Sequence, residues 1–199
     1  MQTSARDFLW FDDEFPDLAR AHCLTFVRDV PPRELVRRLG GRVEPGVTGV
    51  HALVDAAYDR PSGAGRTVFG TTVLGEWTLL VEPNGWHGSD EALALPGSAS
   101  TRWVSVYDNH DSNADGTFLW AEDTDVQLRF RFGDVSRCSG ARADDLLGVV
   151  RDLGFEIAGE GDVPAGPAAL ALAAHLTGLR LTPAHLRDSV FVRGSAAGG

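Results

Sequence analysis

The chain has 199 residues, 43% of them apolar and 23% charged, the balance of a soluble globular protein long enough to bury a core. Its net charge of −10 argues against general binding to nucleic acid or to an anionic membrane, both of which need cationic contacts. All 18 basic residues are arginine; without lysine there is no Walker phosphate loop, no pyridoxal Schiff base and no kinase strand lysine.

The first residues, Met-Gln-Thr-Ser-Ala-Arg-Asp, lead into an acidic aromatic stretch and not into an apolar signal core. Residues 22–30 read as a strand, and Pro31-Pro32 opens a helix that Gly40-Gly41 closes. A short helix is predicted over 49–58, followed by a loop rich in Pro, Gly and Ser over 59–66. Strands are predicted over 67–74 and 76–82, on either side of Gly75. In the second of these, Trp77, Leu79 and Val81 share one face, and Thr78, Leu80 and Glu82 the other. Pro83 cannot donate to a ladder and Asn84-Gly85 suits positive φ, so a tight turn follows, ending at Trp86.

A short helix over 89–95 precedes strands over 101–107, 117–121 and 126–132. In the last, Leu128, Phe130 and Phe132 oppose Gln127, Arg129 and Arg131, the pattern of an antiparallel sheet with one dry and one wet face. Helices follow over 143–153 and 167–176, and Thr182-Pro183 caps another through Arg187. Residues 194–199 carry no side chains large enough to pack and are expected to form a flexible tail. The predicted fold is α+β: a mostly antiparallel five- or six-stranded sheet with C-terminal helices packed on it, in one domain spanning 1–193.

Four segments carry a resemblance: Cys-Leu-Thr-Phe-Val-Arg at 23–28, Glu-Trp-Thr-Leu-Leu-Val-Glu-Pro-Asn-Gly-Trp at 76–86, Phe-Leu-Trp-Ala-Glu-Asp at 118–123 and Leu-Thr-Gly-Leu-Arg-Leu-Thr-Pro at 176–183. With them the chain resembles an uncharacterised family common in actinobacteria, over most of its length from Phe8 to Val192. The resemblance implies a whole-chain domain of cytoplasmic bacterial type. It supplies no mechanism and no catalytic residues.

Candidate chemistry is sparse. Asp111-Ser-Asn-Ala-Asp-Gly-Thr-Phe-Leu-Trp-Ala-Glu122 matches the twelve-residue calcium loop of an EF-hand. Its flanks read as strands, which would carry Glu122 about 20 Å from Asp111, so a plain turn is expected and no metal is assigned. The six histidines show no H-E-x-x-H or H-x-H spacing. Cys23 lies in a strand, where a thiol behaves as a small apolar group, and Cys138 lies far from it.

The tryptophans carry the main functional expectation. If Val104 and Val106 face the core, Trp103 and Tyr107 lie on the outer face of the sheet, with Glu82, Asn84 and Trp86 nearby. Aromatic residues rimmed by polar groups are what protein-binding hot spots use. The alternative is that the C-terminal helices cover this face and bury the aromatics, as tryptophan usually is. The preferred reading is a non-enzymatic cytoplasmic binding or regulatory protein of the immunity-protein kind. It has an unidentified protein partner, no cofactor, and no nucleic acid or membrane among its ligands. The alternatives are a metal-assisted hydrolase using Asp108, His110, Asp111 and His87, and a small-ligand sensor with a pocket lined by Trp77 and Trp86.

Overall fold

Alternating apolar residues in the middle of the chain build one antiparallel sheet. The computed structural model describes residues 3–59, 65–111, 116–155 and 164–197. Among these, nine strands join the sheet: β1 (Ala21–Arg28), β2 (Arg42–Thr48), β3 (Arg66–Leu74), β4 (Trp77–Pro83), β5 (Arg102–Asn109), β6 (Thr117–Glu122), β7 (Asp125–Arg131), β8 (Asp134–Ser139) and β9 (Val190–Ala197). Their order is β2-β9-β3-β4-β1-β5-β6-β7-β8, with every neighbouring pair antiparallel. The α+β class stands, but five or six strands is too few.

The six predicted strands are β1 and β3 to β7; the three additional ones lack a clean alternation. β2 contains Pro45-Gly46 and shifts register between Glu44 and Val47, so it pairs as a bulged edge strand. β8 forms the opposite edge and also pairs irregularly. β9 is the clearest correction, because Gly194 to Ala197 were expected in the flexible tail and instead pair with β3 inside the sheet. Small residues are required there: a Cβ on Gly194 would lie 2.4 Å from the Phe69 ring.

Helices are α1 (Trp10–Glu14), α2 (Pro16–Ala19), α3 (Pro32–Arg38), α4 (Val50–Tyr58), α5 (Glu91–Gly97), α6 (Ala143–Asp152), α7 (Ala165–Thr177) and α8 (Pro183–Arg187). They are not confined to the C-terminal third, and they cover both faces of the sheet. On the first face Leu24, Phe26, Leu79, Val81, Val104, Val106, Phe118, Phe130 and Trp77 form the larger core, packed by α4, α6, α7 and the N-terminal helices. On the second face Val27, Leu80, Trp103, Leu119 and Phe69 meet Leu35 and Val36 of α3 and Ala94 of α5.

That second layer decides the fate of Trp103. Val104 and Val106 do face the larger core, as the alternation requires, so Trp103 points to the second face. There α5 and the 3-10 turn His87–Ser89 lie over it, and it is fully buried with Nε1 donating to the Gly88 carbonyl at 2.7 Å. Covering an indole removes on the order of 200 Å² from water, about 5 kcal/mol at most. A helix able to cover it outcompetes solvent.

Candidate functional site

Cross-strand register sets out the second face row by row. One row runs Glu82, Cys23, Tyr107, Thr117, Arg131 and Asp134 across β4, β1, β5, β6, β7 and β8. The next runs Leu80, Thr25, Ser105, Leu119, Arg129 and Ser139. Each row begins under the 3-10 turn and α5 and ends on the strands beyond them.

At the covered end, Glu82 is completely buried. Its Oε1 accepts the His87 backbone N–H at 3.0 Å and lies 2.9 Å from His87 Nδ1, while Oε2 accepts the Gly88 N–H at 2.8 Å. The other ring nitrogen, Nε2, is 3.0 Å from the Ala197 carbonyl oxygen. Both ring nitrogens therefore face acceptors, a geometry only the doubly protonated imidazolium satisfies. The hydrogen bond from Glu82 raises the His87 pKa, against the effect of burial, with the carboxylate charge and the Ala197 carbonyl adding to the rise. Burial and the same carboxylate push the Cys23 thiol well up, so it is no nucleophile.

A pH dependence follows with a definite sign. The folded state holds the His87 proton more tightly than the unfolded chain, whose imidazole titrates near 6.5. The stability gained is present in full below about pH 6.5 and is lost as pH rises through the folded value. Denaturant midpoints followed from mildly acidic to alkaline pH should fall for the wild type relative to His87→Gln. Parallel curves for the two proteins would refute a charged His87.

The residues expected to form a binding surface do not come together. Glu82 and Trp103 are interior, and neither can reach a partner. Asn84 is exposed at φ +52, with its N–H donating to the Ala21 carbonyl at 2.8 Å. Trp86 is 44% exposed and stacks on His87, ring centroids 6.3 Å apart. Tyr107 alone lies half-buried in the row that opens to solvent.

The hydrolase set is also divided. His87 lies over the second face, whereas alternation along β5 sends Asp108 to the first, where it meets His110 Nε2 at 3.2 Å. The sheet lies between them. Asp111 is held by Arg20 at 2.7 Å and Glu122 by Arg102 at 3.0 Å, at opposite ends of the loop that resembles a calcium site. Positions 112–115 of that loop lie outside the described residues. Among the described residues no three His, Cys, Asp or Glu side chains group to hold a metal ion. Trp77 is the first residue of β4, paired with Arg28 and Leu74, and Trp86 lies past the other end of that strand, whose length is about 20 Å, so the two line no common pocket.

What the face does offer is a groove of about 690 Å³ over β6, β7 and β8, beyond the edge of α5. Thr117 and Leu119 form its floor, with Arg129, Arg131 and Arg137 along one side and Ser89 and Glu91 along the other. The alternation that buries Leu128 and Phe130 in the larger core is what presents Arg129 and Arg131 here. Arg129 pairs with Glu91, and Arg137 Nε lies 3.0 Å from Asp134 Oδ2. Arg131 is exposed and forms no ion pair with the described residues. The sequence pointed to Arg129 and Arg131 as a wet face; Asp134 and Arg137 were missed because β8 was not foreseen, and Glu91 because nothing local shows that the start of α5 meets Arg129.

With this geometry in place, one comparison decides kinship: a family model matches residues 1–198. The chain belongs to DUF6461, a family of unknown function. No curated protein and no solved structure matches it. Membership fixes an uncharacterised family across nearly the whole chain and brings no activity with it. No helix among the described residues is long and apolar enough to cross a membrane.

Proposed function

We propose that this protein is a non-enzymatic binding or regulatory protein, acting in the cytoplasm of an actinobacterium. Its groove receives a carboxylate-bearing segment of a protein partner, in the manner of an immunity protein that occludes its target. The observation that carries this reading is Arg131, a guanidinium with no ion pair among the described residues, while Arg129 and Arg137 beside it are each matched by an acid. A free guanidinium is a planar fork of donors suited to a carboxylate. Tyr107 and Thr117 share its row, and Leu119 supplies apolar floor, so a side chain docked there also gains burial.

The net charge of −10 gives an acidic partner no long-range attraction. At physiological salt, charges more than about 8 Å apart are largely screened, so recognition rests on contact within the groove. The test places a photo-crosslinking residue at Thr117 and, as control, at exposed Val73, in cells of the native host. The Thr117 probe should capture one segment containing Asp or Glu, and Arg131→Ala should reduce that capture about tenfold. A captured segment without acids, equal capture from Val73, or indifference to Arg131→Ala would each sink the reading.

A further inference from the structure

On the opposite face of the sheet, where β1 and β5 meet the start of α7, a cavity of about 420 Å³ opens beside Phe11, Asp12, His22, Asp108, Phe132 and Leu170. We propose that this cavity binds a small organic cation, an ammonium or guanidinium carried on a compact apolar body.

The argument begins with acceptors that lack donors. His22 is only 3% exposed, its Nδ1 lies 3.3 Å from the Ala19 carbonyl, and its ring meets Phe11 edge-on at 4.9 Å. The Leu18 carbonyl also accepts from the ring, and a neutral ring has one N–H to give, on Nδ1; Nε2 then carries a lone pair to which no described residue donates. Burial lowers the His22 pKa to about 4, against the pull of Asp108, so the ring stays neutral near pH 7. Asp12 is half-buried at the same cavity and has neither a hydrogen bond nor an ion pair with the described residues. Burial raises its carboxyl above the ordinary value; His110 opposes the rise, and Asp108 and Asp13 add to it.

Asp108 is different, because its oxygens are already engaged. Oδ1 accepts the Asn109 N–H at 2.9 Å, and Oδ2 lies 3.2 Å from His110 Nε2. It also abuts the first turn of α7, where a Cβ on Gly166 would come within 3.3 Å of Oδ2. Asp108 therefore contributes negative potential and little free hydrogen-bonding capacity. Asp12 and the Nε2 of His22 are the open positions, and both can only accept.

A ligand that satisfies them must bring N–H donors, and beside two carboxylates a positive charge is favoured over a neutral donor. Water could supply donors, but it gains nothing from Phe11, Phe132 and Leu170. Those side chains offer burial to an alkyl or aryl body, and the rings attract a cation. The volume lies within the range of small-ligand sites. Among the described residues no three His, Cys, Asp or Glu side chains group closely enough for a bare metal ion. An extended cationic molecule bridges them instead.

The full chain would be titrated with benzylamine and agmatine, and with benzyl alcohol and benzoate as neutral and anionic counterparts, following melting temperature and binding heat. One or both amines should raise the melting temperature, while the alcohol and the carboxylate do not. Asp12→Asn keeps size and removes charge at a half-exposed position, so the variant should fold and bind the amine at least about tenfold more weakly. Arg131→Ala, on the other face, should bind it as the wild type does. The proposal is overturned if neither amine stabilises the protein, if benzyl alcohol stabilises it equally, or if Asp12→Asn leaves the affinity unchanged.

Discussion

Replacing Glu82 with alanine is expected to lower the unfolding free energy by about 3–5 kcal/mol, a large share of the roughly 5–15 kcal/mol that holds a typical domain together. Three donors converge on that carboxylate: the His87 backbone N–H, the His87 ring and the Gly88 N–H. None can turn to solvent, because Glu82 is fully buried and His87 nearly so. Removing the acceptor leaves a buried imidazolium and two amides unsatisfied, which costs more than the original bonds contributed. Glu82→Gln keeps one oxygen and turns an amide donor toward another donor, so an intermediate loss of about 1–3 kcal/mol is expected. The loop also positions the Gly88 carbonyl that accepts from Trp103. A red-shifted tryptophan emission should therefore accompany the lower denaturant midpoint. A Glu82→Ala protein within about 1 kcal/mol of wild type would mean that other contacts hold the loop.

The sequence made this carboxylate visible and its role invisible. Glu82 alternates with Trp77, Leu79 and Val81, so its place on the second face followed from period two alone. Its burial depends on a loop folding back over the same face, an event written in no local pattern. Glycine at 88 and histidine at 87 read as turn residues until their partners are known. Trp103 was set on the correct face and its cover went unseen for the same reason: alternation gives the face, and only tertiary cover gives the exposure. Arg129 and Arg131, by contrast, were correctly set on a wet face, because α5 meets this part of the sheet only with Glu91 at its edge and does not cover it.

The edge and interior strands show the same limit. β2 carries Pro45-Gly46, which suits an edge and defeats a periodicity search. β9 looks like a tail because its small residues match a space set by side chains far away in sequence, Phe69 and Val36. Residues that are small to accommodate a neighbour cannot be told from residues that are small because nothing constrains them.

The two candidate sites follow from one geometric fact. A sheet inner strand sends alternate side chains to opposite faces, so β5 delivers Tyr107 toward the arginine groove and Asp108 toward the cavity. Neighbours in sequence thereby serve separate surfaces with opposite charge preferences. Combining His87 with Asp108 and His110 failed because it joined side chains across that division.

Gly88→Ala is the second large effect expected, at about 3 kcal/mol of lost stability, from crowding and not from a missing bond. A Cβ at this position would come 1.9 Å from Thr25 Oγ1, 3.0 Å from Cys23 Sγ and 3.1 Å from Glu82 Oε2. The contacts are with β1 and β4 in the middle of the sheet, where backbone is held on both sides and cannot retreat. The loop must therefore lift, stretching the Gly88 N–H to Glu82 bond of 2.8 Å and the Trp103 to Gly88 bond of 2.7 Å. The nearest clash is a hydroxyl that Thr25→Ala removes, so the two changes should couple. The double variant should be more stable than the sum of the single losses by at least about 1 kcal/mol, measured as a double-mutant cycle in denaturant. Strict additivity would show that the loop relieves the crowding by moving away from Cys23 and Glu82 instead. The alanine variant would then lose the Trp103 emission environment whether or not Thr25 is present.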